Sequence, residues 1–282
     1  MKALMSSLPL RNLPYFGPML VASVLFFLAP LVVLAVFSFS SPEGASLANY
    51  ARFAKDEFSV SVLIDTIRLG GSVVLGTTLL GLPIALLYWH AGPRIRQWLI
   101  FLILLPMLVS NVVRTFAWIV ILGRQGLISS TLLYTGLTNT PINLMYTEFG
   151  LILALCQIEL PLLLLPIIAV LSRANRSLVD AARMLGAGSW RILLTVLVPV
   201  MLPGLLAGWI LVFASACTSY VTQAVIGGAR LIYLPQFIYR EVGVLFSWPY
   251  AAAVAFVLLV STGIVMLSIS ALSRHRRLVG HA

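Results

Sequence analysis

The chain has 282 residues, of which 61% are hydrophobic and only 9% are charged, and its mean hydropathy is +1.06. A soluble domain carries about a quarter charged residues, so this composition excludes a water-soluble globule and predicts an integral membrane protein. The net charge of +10 comes from short basic clusters between apolar runs. That pattern argues against nucleic-acid binding and indicates loops that face an anionic inner leaflet.

Six apolar runs are long enough to cross a bilayer, which takes roughly 20 residues. We therefore expect an all-α integral membrane fold of six transmembrane helices, forming a single transmembrane domain over residues 1–282. The first run is too long for the hydrophobic region of a typical signal peptide, and no A-x-A-like cleavage site follows it, which favours a retained helix. In the fifth run, Gly204 and Gly208 fit close helix packing. The predicted spans are approximately 16–37, 67–89, 98–122, 149–171, 200–226 and 250–272.

Basic residues predict the orientation of these spans. With the N-terminus in the cytoplasm, the inner segments hold more than twice as many Lys and Arg residues as the outer loops. The positive-inside rule then places both termini in the cytoplasm. The outer loops after the first and third spans are large enough either to dock a partner or to serve as plain connections. Within the second of these loops, Leu127 to Tyr134 has the apolar spacing of a short interfacial helix.

The sequence offers no catalytic or metal-binding constellation. Neither lysine follows a glycine, so the Walker nucleotide-binding pattern is missing, and any ATP would be bound by another subunit. His90, His275 and His281 share no metal-ligand spacing. Cys156 and Cys217 lie inside apolar runs and are expected to be small buried hydrophobes. We therefore expect no enzyme activity, no metal and no cofactor bound by this chain.

The connection between the fourth and fifth spans, approximately 172–199, is unusually polar for this chain. Ser177 is placed to cap a helix, with Asp180 three residues later in the manner of a capping box. Gly186 permits a sharp reversal, and Pro199 marks the turn into the next span. We expect a compact helical hairpin on the cytoplasmic side, which is either a docking surface or a solvated loop without a partner.

The spacing of this connection resembles the EAA motif, E-A-A-x3-G-x9-I-x-L-P, of permease subunits in binding-protein-dependent ABC importers. The chain has Asp for Glu and Val for both Ile and Leu, while the spacing from acid to glycine to proline is intact. In that family the loop is the coupling helix that docks on a cytoplasmic ATPase. The resemblance assigns ATPase coupling to Asp180, Ala181, Ala182, Gly186 and Pro199.

Further fragments between about residues 95 and 230, including "LPLLLLPI" and "SYVTQAVIGG", are similar to permeases of the spermidine/putrescine type. The resemblance implies a type I ABC importer permease-like subunit in the bacterial inner (plasma) membrane. Its expected cargo is a small charged organic solute, foremost a polyamine (spermidine or putrescine) or a related amine or amino-acid-like compound. Transport would proceed by alternating access.

The same resemblance implies partners. They are a second, homologous permease, two copies of an ATPase subunit that carries the ATP and Mg, and a periplasmic or extracellular solute-binding protein. A membrane scaffold or receptor without a transport pathway remains the alternative. An intramembrane enzyme would need a catalytic dyad that the sequence does not offer.

Charged and polar side chains at membrane depth mark a candidate pathway, because they are costly there and usually functional. Glu159 lies in the fourth span before Pro161 and Pro166, whose missing donors free backbone carbonyls. Glu159 either attracts a cationic cargo, pairs with Arg114 of the third span or faces a subunit interface. Arg114 either snorkels outward or repels cations and favours a carboxylate-bearing cargo. Trp118, close to Arg114, is a further candidate. The fifth span adds four candidates for which interhelical hydrogen bonding is the competing role: Thr218, Ser219, Tyr220 and Gln223.

Overall fold

A computed structural model describes residues 13–41, 44–175 and 177–279. Lys2, Arg11, Arg176 and His281, which entered the predictions above, lie outside the described residues. Within the described residues, six helical segments are long and apolar enough to span a membrane, as predicted. They are Gly17–Phe39, Glu57–His90, Asn111–Tyr134, Glu148–Arg173, Ser189–Thr218 and Trp248–Ala271.

The chain divides into two compact units. One comprises the described residues up to Glu57 together with Ile238–Val257, and the other comprises Phe58–Phe237 and the residues from Leu258 onward. The first unit begins with helix α1, Leu13–Phe39. Most described apolar side chains of α1 are exposed, so in a bilayer they face lipid or another helix.

A short hairpin and a short helix follow α1. Strands β1 (Ser40–Ser41) and β2 (Gly44–Ala45) pair antiparallel, and helix α2 spans Ala48–Lys55. Arg52 of α2 lies 4.1 Å from the centre of the Tyr250 ring, in the range of a cation–π contact. This contact fastens α2 to the other segment of its own unit.

The second span begins earlier than predicted, because helix α3 covers Glu57–His90. Glu57 and Asp65, which the predicted bounds left in a loop, therefore lie on the helix. Arg96 caps the far end of α3 by donating to the carbonyls of Tyr88 and Trp89, both at 3.0 Å. These two bonds satisfy carbonyls that a helix C-terminus leaves without partners.

The predicted third span, 98–122, is wrong as one continuous helix. Helix α4 spans Pro93–Leu104, a 3-10 turn follows at Leu105–Leu108, and helix α5 spans Asn111–Leu122. Pro106 has no N–H to continue the α-helical ladder, so the chain tightens into the 3-10 turn and then becomes extended. Helix α6, Leu127–Tyr134, forms where the sequence predicted it.

The fourth span, helix α7, covers Glu148–Arg173. Helix α8, Ser177–Met184, forms the first arm of the predicted cytoplasmic hairpin. The second arm begins at helix α9, Ser189–Ile192, and continues through a π-helical turn, Leu193–Leu197, into the next span.

The predicted fifth span, 200–226, is displaced in the structure. Helix α10, Val198–Thr218, continues the second hairpin arm without a break, so Pro199 lies inside a helical segment rather than at a turn. The wider π-helical turn before it accommodates a proline in the first turn of α10. At the other end the helix breaks at Ser219.

A short irregular stretch links α10 to the last span. Helix α11, Tyr220–Thr222, leads into a second π-helical turn, Gln223–Gly227. Helix α12 covers Leu234–Gly243 and helix α13 covers Trp248–Val279. The sixth span is thus present close to its predicted bounds.

Helices α7 and α10 pack backbone against backbone. A Cβ at Gly204 would lie 2.7 Å from the carbonyl oxygen of Pro166, and one at Gly208 would lie 3.1 Å from the Cα of Leu163. Small residues allow this approach, as predicted. Trp209 also donates from Nε1 to Thr78 Oγ1 at 2.9 Å, which ties α10 to α3. The tight packing fixes the polar side chains of α7 and α10 relative to each other.

Candidate functional site

Polar side chains of α5, α7 and α10 converge on a cavity of about 120 Å³, which we call the charged cavity. Glu159 and Arg114, both predicted from the sequence, line it together. The other lining residues are Met107, Asn111, Ile158, Pro161, Leu162 and Ser215. The cavity therefore brings an acid, a base, an amide and a hydroxyl to one place among apolar walls.

Arg114 is held by α5 and α7. Its Nη1 donates to the carbonyl of Ile158 at 3.1 Å, and its Nη2 donates to Asn111 Oδ1 at 2.5 Å. Its Nε is buried and has no hydrogen-bond partner. Pro161 lacks the N–H that would bond the carbonyl of Gln157, whereas the carbonyl of Ile158 still has the N–H of Leu162 as its helical partner. The Arg114–Ile158 bond is therefore not explained by the prolines, and a role for carbonyls freed by proline stays a prediction.

Glu159 is held by α10. Its side chain is almost fully buried, and its Oε1 accepts a hydrogen bond from Ser215 Oγ at 2.9 Å. Glu159 and Arg114 are close enough to interact electrostatically. Within the described part of the chain, however, no ion pair of 4.0 Å or less joins them. The structure therefore does not show the alternative in which these two charges pair directly.

Trp118 lies beside the charged cavity rather than in its lining. Its Nε1 donates to Gln157 Oε1 at 3.1 Å, which links α5 to α7 next to Glu159. This bond satisfies the polar end of a large side chain and holds the two helices in register. Trp118 thus links two helices, and a role for it in a pathway stays a prediction.

The other predicted pathway residues do not line the charged cavity. Thr218 Oγ1 donates to the carbonyl of Ala214 at 2.8 Å, and Ser219 marks the end of α10. Gln223 is fully buried, and its Nε2 donates to the carbonyl of Ala216 at 2.8 Å. These bonds brace the break after α10. A role for Thr218, Ser219, Tyr220 and Gln223 in a pathway stays a prediction.

Sequence reasoning missed Asn111 and Ser215. Asn111 precedes Arg114 by three residues on α5, a spacing that puts both on one helix face and was a usable signal. Ser215 carried no such signal, because its contact with Glu159 depends on how α10 packs against α7.

The hairpin between α7 and α10 has the sharp reversal that the sequence predicts at Gly186. Gly186 has a φ of +77°, its N–H bonds the carbonyl of Arg183 at 2.9 Å, and the N–H of Ala187 bonds that of Ala182 at 3.0 Å. Together these bonds form a Schellman motif, which closes a helix with glycine in the left-handed conformation.

The start of the hairpin differs from the predicted capping box. Ser177 is already the first residue of α8, and its N–H is bound by Asn175 Oδ1 at 3.0 Å. Asp180 instead lies 3.8 Å from Arg183, in an exposed ion pair one turn along the helix. Such exposed pairs contribute little to stability, so both charges remain free for other contacts.

Two apolar side chains at the tip of the hairpin were also missed. Met184 is 89% exposed and Leu185 is 88% exposed, whereas Val179 on the opposite face of α8 is buried. The sequence signal that could have identified them is their position as a pair of apolar residues directly before Gly186, where the chain reverses. Adjacent exposed apolar groups of this kind commonly mark a protein contact. The hairpin tip therefore exposes a surface of small and apolar residues.

Comparison with known proteins identifies relatives along most of the chain. No family model matches it. It is 28% identical over 251 residues to the spermidine/putrescine transport system permease protein PotB of Salmonella typhimurium LT2, covering 86% of this chain and 87% of that one. It is 26% identical over 264 residues to the putative 2-aminoethylphosphonate transport system permease protein PhnU of the same strain, covering 91% of each.

A solved structure supports the same fold. A bacterial ABC transporter involved in the import of the acidic polysaccharide alginate has a chain that matches with a TM-score of 0.78 at 16% identity. The match covers 94% of this chain and 96% of that one. At this identity the likeness establishes the fold alone, whereas the sequence relatives establish homology. The chain is therefore a homologue of PotB-type ABC transporter permeases and, with its six apolar helices, a multi-pass protein of the inner membrane.

Proposed function

We propose that this permease imports a small amine-bearing organic solute by alternating access, with a second, homologous permease completing the pathway. The charged cavity carries the proposal, because it holds Glu159 and Arg114 at membrane depth, where charges are costly and usually functional. The names of PotB and PhnU mention spermidine, putrescine and 2-aminoethylphosphonate, each of which has an amino group. A polyamine or an amino-acid-like amine is accordingly the proposed cargo.

ATP would act through other subunits. Two ATPase subunits, each carrying ATP and Mg, would seat on the hairpin tips of the two permeases. The exposed Met184 and Leu185 next to the small residues Ala181 and Ala182 support this contact. Closure of the ATPases on ATP would move the hairpins and open the pathway outward, and hydrolysis would reset it. A solute-binding protein would deliver the cargo from outside.

Removing the apolar tip tests the ATPase contact. We expect the double variant Met184→Ser with Leu185→Ser to lose the ATPase subunits during purification in mild detergent, because hydrophobic contacts dominate small interfaces. ATP-driven uptake in cells should fall in parallel. The matched control is Tyr134→Ser, since Tyr134 is 95% exposed on α6 and lies outside the hairpin.

The result also separates the transporter from the alternative. Equal recovery of the ATPase with the double variant and with the wild type would reject the hairpin tip as the contact. Recovery of the wild-type chain without any nucleotide-binding subunit would favour a scaffold or receptor.

A further inference from the structure

The charged cavity keeps two opposite charges apart. Separate neighbours hold each group: Ile158 and Asn111 bind the Arg114 guanidinium, and Ser215 binds the Glu159 carboxyl. Within the described residues the two groups form no ion pair, although both line the same space. The separation is thus built by side chains and backbone of α5, α7 and α10.

A direct ion pair would be the cheaper way to bury these groups. Moving a charge out of water costs several kcal/mol, and a close partner offsets that cost best when geometry and hydrogen bonding are good. Here the buried Arg114 Nε also lacks a hydrogen-bond partner. A donor left without an acceptor adds a further penalty. A ligand that carries a positive charge for Glu159 and a negative charge for Arg114 would stabilise this arrangement by binding between the two groups.

A polycation matches only half of this arrangement. Its ammonium groups would be attracted by Glu159 and repelled by Arg114, both of which line the cavity. A molecule with one ammonium group and one carboxylate or phosphonate group satisfies both. The anionic group would also accept from guanidinium N–H donors, which are suited to carboxylate and phosphate oxygens.

We propose that the charged cavity binds a zwitterionic cargo, with its ammonium group at Glu159 and its anionic group at Arg114. The assignment rests on the proposed transport function and narrows it to the amino-acid-like class of amines. It makes Glu159 and Arg114 specificity-determining residues with complementary roles.

Three probes with the same four-carbon chain test this charge preference. Putrescine carries two ammonium groups, 4-aminobutyrate carries one ammonium and one carboxylate, and succinate carries two carboxylates. Binding of radiolabelled probes would be measured on the purified complex of permeases and ATPases without the solute-binding protein, so that only the membrane site selects. We expect the wild type to bind 4-aminobutyrate about tenfold to a hundredfold more tightly than either other probe, the value of one charge-assisted hydrogen bond.

Single substitutions then assign the two roles. Arg114→Gln should weaken 4-aminobutyrate binding and strengthen putrescine binding, whereas Glu159→Gln should weaken 4-aminobutyrate binding and strengthen succinate binding. Arg124→Gln and Glu148→Gln are matched controls, because both residues are exposed and neither lines the cavity. A merely structural role would lower the binding of all probes together and would not reverse their order.

Equal binding of the three probes by the wild type, binding of none, or tighter binding of putrescine or succinate than of 4-aminobutyrate would overturn the inference. The relative binding of the three probes by the wild type tests the inference even if a variant fails to fold. ATP-driven uptake by the same complex, reconstituted in vesicles with its solute-binding protein added, keeps the two proposals distinguishable. A complex that hydrolyses ATP and transports, yet shows no preference for the zwitterion, retains the proposed function and loses only the cargo class.

Discussion

Gly186 controls the hairpin tip through its backbone conformation alone. Its φ of +77° lies in the left-handed region, and a Cβ built on it would meet no atom within 4 Å. The cost of a side chain at this position is therefore strain of about 1–2 kcal/mol, not a clash. Asn tolerates the left-handed conformation better than other residues, whereas a β-branched side chain tolerates it poorly. Different substitutions at Gly186 can therefore distinguish the effect of backbone strain from an effect on the proposed contact with the ATPase.

We expect Gly186→Val to distort the turn and lower ATP-driven uptake strongly, while Gly186→Asn keeps most of it. Both variants should insert into the membrane as the wild type does, because the turn lies outside the spanning helices. Gly186→Asp, which also adds a charge at the docking surface, should abolish uptake. Uptake rates normalised to the amount of inserted protein would measure the effect. Full activity of Gly186→Val and Gly186→Asp would show that neither the turn nor the docking surface depends on glycine.

At the scale of single residues, the features that could be predicted from the sequence are those that depend on local sequence pattern alone. The reversal at Gly186 and the isolated charges Glu159 and Arg114 could be found because glycine and membrane-depth charges are informative by themselves. The contact of Ser215 with Glu159 could not, because it arises only when α7 and α10 pack.

At the scale of elements, the close packing of α7 and α10 makes a stability prediction. Gly204→Ala should lower the midpoint of thermal unfolding in detergent, because its Cβ would meet the backbone of Pro166 and Ile167. Overpacking of this kind costs about 1–3 kcal/mol. Gly263→Ala in α13 is the matched control, since a Cβ there meets nothing within 4 Å and alanine favours helix by roughly 0.5–1 kcal/mol. A midpoint for Gly204→Ala at or above that of the control would contradict the packing.

The ends of a helix could be predicted from the sequence only where they coincide with the ends of an apolar run. The break at Leu105–Leu108 escaped the sequence because hydropathy continues through Pro106 and masks the change of helix type. The second arm of the hairpin, from Ser189 onward, was predicted to be helical, but its continuity with the fifth span was not predicted, for the opposite reason. Its first turns are less apolar than the span that they join, and Pro199 resembled a boundary although a π-helical turn carries the helix through it. Hydropathy reports burial in the bilayer, whereas helix continuity depends on backbone hydrogen bonds.

At the scale of the whole molecule, the orientation of the spans makes a prediction of its own. The excess of basic residues in alternate loops predicts that the hairpin tip lies in the cytoplasm and the end of α6 outside. Met184 and Tyr134 are suitable reporters, because both are almost fully exposed. The native Cys156 and Cys217 are both buried, so the wild-type chain provides a background with little thiol reactivity.

We expect a membrane-impermeant maleimide to label Tyr134→Cys in intact spheroplasts and to leave Met184→Cys unlabelled there. In inverted vesicles stripped of peripheral proteins the pattern should reverse, because the hairpin tip is then open to the reagent. Restoring the ATPase subunits to these vesicles should protect Met184→Cys if the tip is their seat. Labelling of Met184→Cys in intact spheroplasts would invert the topology. It would also remove the hairpin from the side where ATP is hydrolysed, because the tip and a cytoplasmic ATPase would then face opposite surfaces of the membrane.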